Sequence, residues 1–269
     1  MKAVPTTKEA YQLLHDGVLA LSDAEQAGMC IDIPYCLRQQ KQIRKEQQEL
    51  EAKFWTTELG QIWKSWAKNN HKTPALGGDQ LIEVFTHAGV KIAKTTDAGK
   101  MSTDEESVKE TKIPGAEDLI QLRKMDKACG TYLSNLIDEA VDGKIHAMFS
   151  LNIPRTYRSS CSNPNLQNFP IRDPWMGKII RSAIIPRPGH CLVESDYKGL
   201  EVATAACYNH DPMLIKYLAD KSLDMHRDMA MECFILQQPQ VSKWIRHAAK
   251  NKFVFPEFYG SYYKKCAVN

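Results

Sequence analysis

The sequence predicts an α+β protein with a long helical projection. Helical apolar spacing dominates the first part of the chain, and strand-like runs come only from Ile145 onward. No internal repeat or long flexible linker separates the two parts. At 269 residues the chain can bury a substantial core in one or two domains. Its 43% hydrophobic and 25% charged content is ordinary for a globular protein. A net charge of +3 is too small to imply a nucleic-acid partner; only a clustered basic face would do so. No run of about eighteen apolar residues and no basic-then-apolar leader occurs, so no membrane partner is expected. The eight cysteines form no CxxC pair, which argues against zinc and fits reduced thiols in a cytosolic compartment.

The elements follow in order. Thr7 to Ala27 reads as a helix that Thr7 can cap, with Leu13, Leu14, Val18 and Leu21 at helical spacing and Gly28 at its end. Ile31-Asp32-Ile33-Pro34 reads as an extended link, because proline disfavours helix in the residue before it. From Tyr35 to about Asn69 a long, strongly charged helical stretch is expected, anchored by Leu50, Phe54, Trp55, Ile62, Trp63 and Trp66. Its charge run is read as a solvated face, with contact to a nucleic-acid backbone as the alternative. After a turn at Asp97-Ala98-Gly99, Thr103 and Glu106 fit a capping box. Gly115 to Val141 looks helical again. Strands are expected at Ile145 to Leu151 and His190 to Ser195, the second delivering Asp196 to its end.

Two stretches carry chemistry. Arg246 and Lys250 lie four apart on one helical face, where like charges cost a few tenths of a kcal/mol. They read either as solvated surface cations or as a pair awaiting an anion. Together with Asp196 they suggest a metal-bound polyphosphate, although without its surroundings Asp196 reads first as a cap on the helix that follows it. Thr156 to Arg172 is a polar loop by composition, yet its amides, hydroxyls and arginines also suit phosphates, sugars and base edges.

These motifs resemble those of the A-family DNA polymerases. TYRSSCSNPNLQNFPIR, ending at Arg172, is similar to the family signature TGRLSSxxPNLQNIPxR. Asp196-Tyr197-Lys198-Gly199-Leu200-Glu201 resembles the first catalytic motif, DYSQIE, and Asp224-Met225-His226 a DxH element. Arg246, Lys250, a phenylalanine, Tyr259 and Gly260 approximate RxxxKxxxFxxxYG with one extra residue between Lys250 and Tyr259. Tyr157 and Ser159 stand where the family has Gly and Leu, and Lys198, Gly199 and Ala203 depart from its SQ and R. DAEQAGMCID and KACGTYL look like palm and thumb segments. The variants resemble phage-type members.

The resemblance implies an incomplete right-hand fold: helical thumb, partial antiparallel palm sheet and start of fingers. It divides the chain into a palm-packing segment at 1–36, a thumb at 37–125, a palm at 126–225 and partial fingers at 226–269. Asp196 and the Tyr197 carbonyl would ligate Mg2+ in a two-ion site, lowering the pKa of the attacking hydroxyl. Arg246, Lys250 and His226 would hold the triphosphate, with Lys250 the candidate acid for departing pyrophosphate. Glu201 would crowd the sugar 2′ position, Phe253 or Phe255 would stack on the nucleotide, and Pro256 would interrupt a regular helix there. Tyr259 and Gly260 would lie where the nascent pair meets the template. Arg158, Asn165, Gln167 and Asn168 would contact DNA, with Arg158 and Gln167 at the minor groove, whose acceptors are nearly the same for every pair.

The expected partners are primer–template DNA, a dNTP and a C-terminal polymerase polypeptide supplying the second carboxylate, in a bacterial cytosol and with a phage origin. Two functions stay open: the front part of a split polymerase, and a catalytically silent primer–template-binding fragment.

Overall fold

The computed structural model describes residues 7–76, 78–90, 92, 94–95, 99–154, 158–197, 199–262 and 266. They form two compact units, Met1–Leu192 and Val193–Asn269. In the first unit, α1 (Thr7–Ala27) ends at Gly28, whose φ of +66° is left-handed and suits glycine. β1 (Met29–Cys30) follows, then α2 (Ile33–Phe54). The expected extended link is thus only partly extended. Asp32 caps α2 by accepting from the Tyr35 N–H at 2.8 Å, and Pro34 sits in the first turn, where its missing N–H would have no helical partner.

The expected helical stretch to Asn69 is made of two helices, α2 and α3 (Glu58–Asn69). Thr57 caps α3 through the Gly60 N–H, and a Cβ on Gly60 would run into the Phe54 carbonyl. The break turns the aromatic run inward. Phe54, Trp55 and Trp63 pack edge to face with centroids 5.0 to 6.3 Å apart. α4 (Gly78–His87), α5 (Glu105–Glu110) and α6 (Ala116–Asp126) close around them. Here the cap differs from expectation: Asp104, not Thr103, accepts from the Ser107 N–H at 2.9 Å. Thr103 instead gives its carbonyl to Arg123. Of the turn expected at 97–99, Asp97 and Ala98 lie outside the described residues.

A π turn (Lys127–Leu133) joins α6 to α7 (Ser134–Asp138), so the helical reading holds over 116–138 with a widened middle, while Val141 pairs in a bridge with Lys144 instead. β2 (Lys144–Ile145) pairs antiparallel with β1, and β3 (Met148–Ser150) with β4 (Ser160–Ser162), Phe149 opposite Cys161. β4 therefore puts part of the composition-predicted loop into a ladder. α8 (Pro174–Arg181) completes the unit. α2 and α6 run together between two cores. One gathers Phe54, Leu59, Trp63, Leu81, Phe85 and Leu119; the other gathers Cys36, Ile43, Leu133, Leu136, Ile145 and Ile180. Each fully buried large apolar side chain of this kind is worth about 1.5–3 kcal/mol.

The strand expected at His190–Ser195 is absent. Residues 190–197 are irregular and exposed, with Val193 84% accessible. A strand needs a ladder partner, and none of the described strands supplies one. The second unit is helical: α9 (Leu200–Asn209), α10 (Pro212–Ala219), α11 (Met225–Phe234), α12 (Lys243–Ala249), a π turn (Lys250–Val254) and α13 (Phe255–Phe258). Its buried apolar side chains are small: Val202, Ala206, Ala230, Ala249 and Val254.

Candidate functional site

In the second unit the cations and rings meet where α11, α12 and α13 pack. Asp224 caps α11, accepting from the His226 and Arg227 N–H groups at 3.1 and 3.2 Å. Ser242 caps α12, which carries Arg246 and leads into Lys250. The Arg246 Nε and Nη2 donate to the Asp224 Oδ2 and Oδ1 at 2.6 and 3.0 Å, a bidentate pair. Arg246 therefore already has an anion partner. Burial pushes the Asp224 carboxyl up, but Arg246 and the Arg227 N–H outweigh it and hold it below the usual carboxylate range. Burial, followed by the charges of Arg246 and Lys250, pushes the His226 imidazole down, so it sits neutral with its buried Nδ1 lacking a hydrogen-bond partner.

The π turn explains the extra residue in RHAAKNKFVFPEFYG. The Phe255 N–H reaches back five residues to the Lys250 carbonyl. That turn absorbs one residue and sets Phe255 one turn beyond Lys250, with Tyr259 one α-turn further. Pro256, which has no N–H to continue the ladder, follows directly. The Lys250 Nζ lies 5.0 Å from the Phe255 ring centroid, and His226 meets that ring edge-on at 6.0 Å. Tyr259 lies 6.4 Å from Phe255 and donates its hydroxyl to Glu201 Oε1 at 3.2 Å. Gly260 follows with φ of +80°. Phe253 points elsewhere, lining an apolar cavity of about 730 Å³ with Phe234, Trp244 and Ile245.

The structure thus brings together Glu201, His226, Arg246, Lys250, Phe255 and Tyr259. Asp196 and Tyr197 are exposed on the irregular stretch and make no ion pair, hydrogen bond or ring contact with that cluster among the described residues. Lys198 lies outside the described residues. No three His, Cys, Asp or Glu side chains come together as a metal cage among the described residues. One carboxylate and one backbone carbonyl fit a magnesium ion only as part of a shell completed by waters, substrate phosphates or a further carboxylate.

In the first unit, Asn165 caps a 3-10 turn (Leu166–Asn168) through the Gln167 N–H at 3.1 Å. The Gln167 side-chain amide donates to Ser159 Oγ at 2.9 Å, and the Asn168 carbonyl accepts from the Tyr132 hydroxyl at 3.3 Å. Arg158 is exposed just before β4, while Thr156 and Tyr157 lie outside the described residues. Gln167 and Asn168 border an open cavity of about 730 Å³ whose other walls include Arg123, Lys124, Lys127 and Arg172. Sequence reasoning did not single out Arg123, Lys124 or Lys127. Arg123 donates to the Leu76 and Thr103 carbonyls, leaving a buried Nη2 without a partner. Lys124 bridges Glu105 and Asp173 at 3.2 and 2.8 Å. The available signal was the run RKMDK, which places Arg123, Lys124 and Lys127 within about one helical turn. The Lys124–Asp173 bridge, the Tyr132–Asn168 bond and the Tyr132–Phe169 ring contact set those cations beside the polar loop.

Known proteins bear on this geometry. The profile of DNA polymerase family A matches residues 34–268. The thermostable DNA polymerase I of Thermus aquaticus is 31% identical over 237 residues, covering 86% of this chain and 27% of that protein. DNA polymerase I of Borreliella burgdorferi is 33% identical over 137 residues, covering 50% of this chain and 15% of that one. The chain therefore spans about a quarter or less of these relatives. Among solved structures, the POL domain of Pol1 from M. smegmatis, in complex with DNA primer-template and dNTP, superposes with a TM-score of 0.69 at 22% identity. That match covers 92% of this chain and 44% of that one, and it carries the fold: this is part of a polymerase fold. The chain belongs to DNA polymerase family A.

Proposed function

We propose that this chain is the primer–template- and nucleotide-binding part of a DNA-directed DNA polymerase. The reaction is transfer of a deoxynucleotidyl group from a dNTP to a primer 3′-hydroxyl, with release of pyrophosphate. The observation that carries this reading is the single cluster of Arg246, Lys250, His226, Phe255 and Tyr259. It sets Lys250 over the Phe255 ring with Arg246 one turn before it, which suits a triphosphate joined to a base.

In this reading Arg246 and Lys250 neutralise the phosphates, and Lys250 gives a proton to the departing pyrophosphate. Phe255, rather than Phe253, stacks on the incoming nucleotide. Glu201, held by the Tyr259 hydroxyl, crowds the sugar 2′ position. Gly260 lets the chain turn beside the template. Arg158, Asn165, Gln167 and Asn168 contact primer–template, and the cations around Gln167 add phosphate contacts that make binding salt-sensitive. Asp196 and the Tyr197 carbonyl are the proposed magnesium ligands, with a C-terminal polymerase polypeptide supplying the second carboxylate. All eight cysteines are free thiols, which supports a reducing cytosol as the working compartment.

Primer extension in magnesium tests this, with and without an added downstream polymerase polypeptide. Extension lost in Asp196→Ala and Lys250→Ala is the expected result; undiminished extension in Asp196→Ala overturns the catalytic assignment. Primer–template binding without extension in every combination makes the chain a binding module instead. Phe255→Ala should weaken dNTP binding by about 1–3 kcal/mol, the worth of one stacked base, while Phe253→Ala should not.

A further inference from the structure

We propose that Asp224 is a positioning residue for the nucleotide site, holding Arg246 in the orientation that receives the triphosphate. The proposal rests on the nucleotide-binding reading of the cluster. Asp224 accepts from four donors at once: the His226 and Arg227 N–H groups at the start of α11, and the Nε and Nη2 of Arg246. The backbone donors fix the carboxylate independently of any ligand, because they belong to the helix end itself. The pair engages Arg246 along its Nε edge, which leaves the Nη1 end of the planar fork to reach an anion. A guanidinium on a long side chain otherwise samples many rotamers, so anchoring one edge removes freedom that binding would have to remove.

A carboxylate near a triphosphate could instead repel it or compete for Arg246. Two features oppose that outcome. The Asp224 charge is matched by Arg246 and by the positive end of α11. It also offsets the repulsion between Arg246 and Lys250, which lie one turn apart. The same carboxylate ties the start of α11 to α12, the two helices that bring His226 and Lys250 to Phe255. Asp224 thus links the two halves of the cluster without being one of the groups that meets the nucleotide.

The test is equilibrium binding of dTTP and of inorganic tripolyphosphate to the full chain, with primer–template present, for Asp224→Asn, Arg246→Ala and the double variant. Asparagine still caps a helix but carries no charge and cannot accept both guanidinium donors. Asp224→Asn should weaken both ligands roughly 10-fold, the lower end of the loss seen when the partner that orients a binding group is removed. In the Arg246→Ala background the same change should have no further effect on binding. Thermal melts of Asp224→Asn and Asp224→Ser, both cap-competent, separate binding from folding: binding lost only in proportion to stability overturns the proposal. Unchanged or tighter binding in Asp224→Asn, with binding weakened in Arg246→Ala, overturns the positioning role and leaves the nucleotide site standing. Unchanged binding in Arg246→Ala overturns the nucleotide-site reading itself, and the proposal falls with it.

Discussion

The described residues include two π turns, and they do opposite work. The turn at Lys127–Leu133 is buried, with Ala128, Cys129 and Leu133 all within the core. Its widened backbone is tied down from outside: the Cys129 carbonyl accepts from Ser134 Oγ at 2.9 Å and from the Gln40 amide at 3.4 Å. The turn at Lys250–Val254 buries only Val254 and Ala249 beside it, and its consequence is outward. It moves Phe255 into reach of Lys250 and His226 and turns Phe253 toward a separate apolar cavity. One extra residue in a helix therefore serves packing where neighbouring side chains satisfy its carbonyls. It serves a site where it resets the register of the side chains that follow.

The heaviest loss should come from the buried turn. Truncating the fully buried Leu133 to alanine should cost about 2–5 kcal/mol, measured by denaturant unfolding. A loss well under 1 kcal/mol would mean that the turn is not held by packing. Deleting Asn251 tests the other turn by removing its extra residue. Pro256 is then forced into a regular helix, at a cost of about 3 kcal/mol, and adding Pro256→Ala should restore most of it. No recovery with Pro256→Ala would show that the π turn does more than accommodate the proline. A smaller change is expected from Ser134→Ala, about 1 kcal/mol, because Gln40 still donates to the same carbonyl. A loss as large as that of Leu133→Ala would contradict this.

The mildest change is in pH. His226 is held below its ordinary pKa by burial, so the unfolded chain takes up its proton first as pH falls through about 6.5, and stability begins to drop there. Asp224 is held low, so its contribution is complete above the ordinary carboxylate value near about 3.9 and is lost as pH falls through the lower folded value. Thermal melts across pH should therefore show a mild loss that is missing in His226→Phe and a steeper acid loss that is reduced in Asp224→Asn. An acid limb identical in all three proteins would break the account.

Much of this was legible beforehand because it is local. Leu13, Leu14, Val18 and Leu21 mark α1, and Gly28 marks its end, through a spacing that any helix imposes. The break at Thr57 was not legible, since the charged run continues across it, while Thr57 caps a new helix and Gly60 lets it start close against the Phe54 carbonyl. The strand at 190–195 was expected from its apolar run, but a strand is defined by its partner, and that partner is a nonlocal fact. The cap at residue 104 shows the same limit at shorter range. Thr103 and Asp104 both have the chemistry, and Arg123 from α6 draws the Thr103 carbonyl into another bond.

Residue types and short spacings were enough to reach the helix-rich plan, the family and the identities of the cations and rings. Local backbone geometry translates spacings of a few residues directly into shared faces. Three pairings came from the tertiary structure alone. Asp224 grips Arg246 across 22 positions, Phe255 and not Phe253 joins the cluster, and Arg123, Lys124, Lys127 and Arg172 border a cavity with Gln167 and Asn168. Such pairings depend on which helix packs on which. In the first unit that choice is set by the whole core, where burial of Trp63, Phe54 and Leu133 outweighs the preference of any one polar contact.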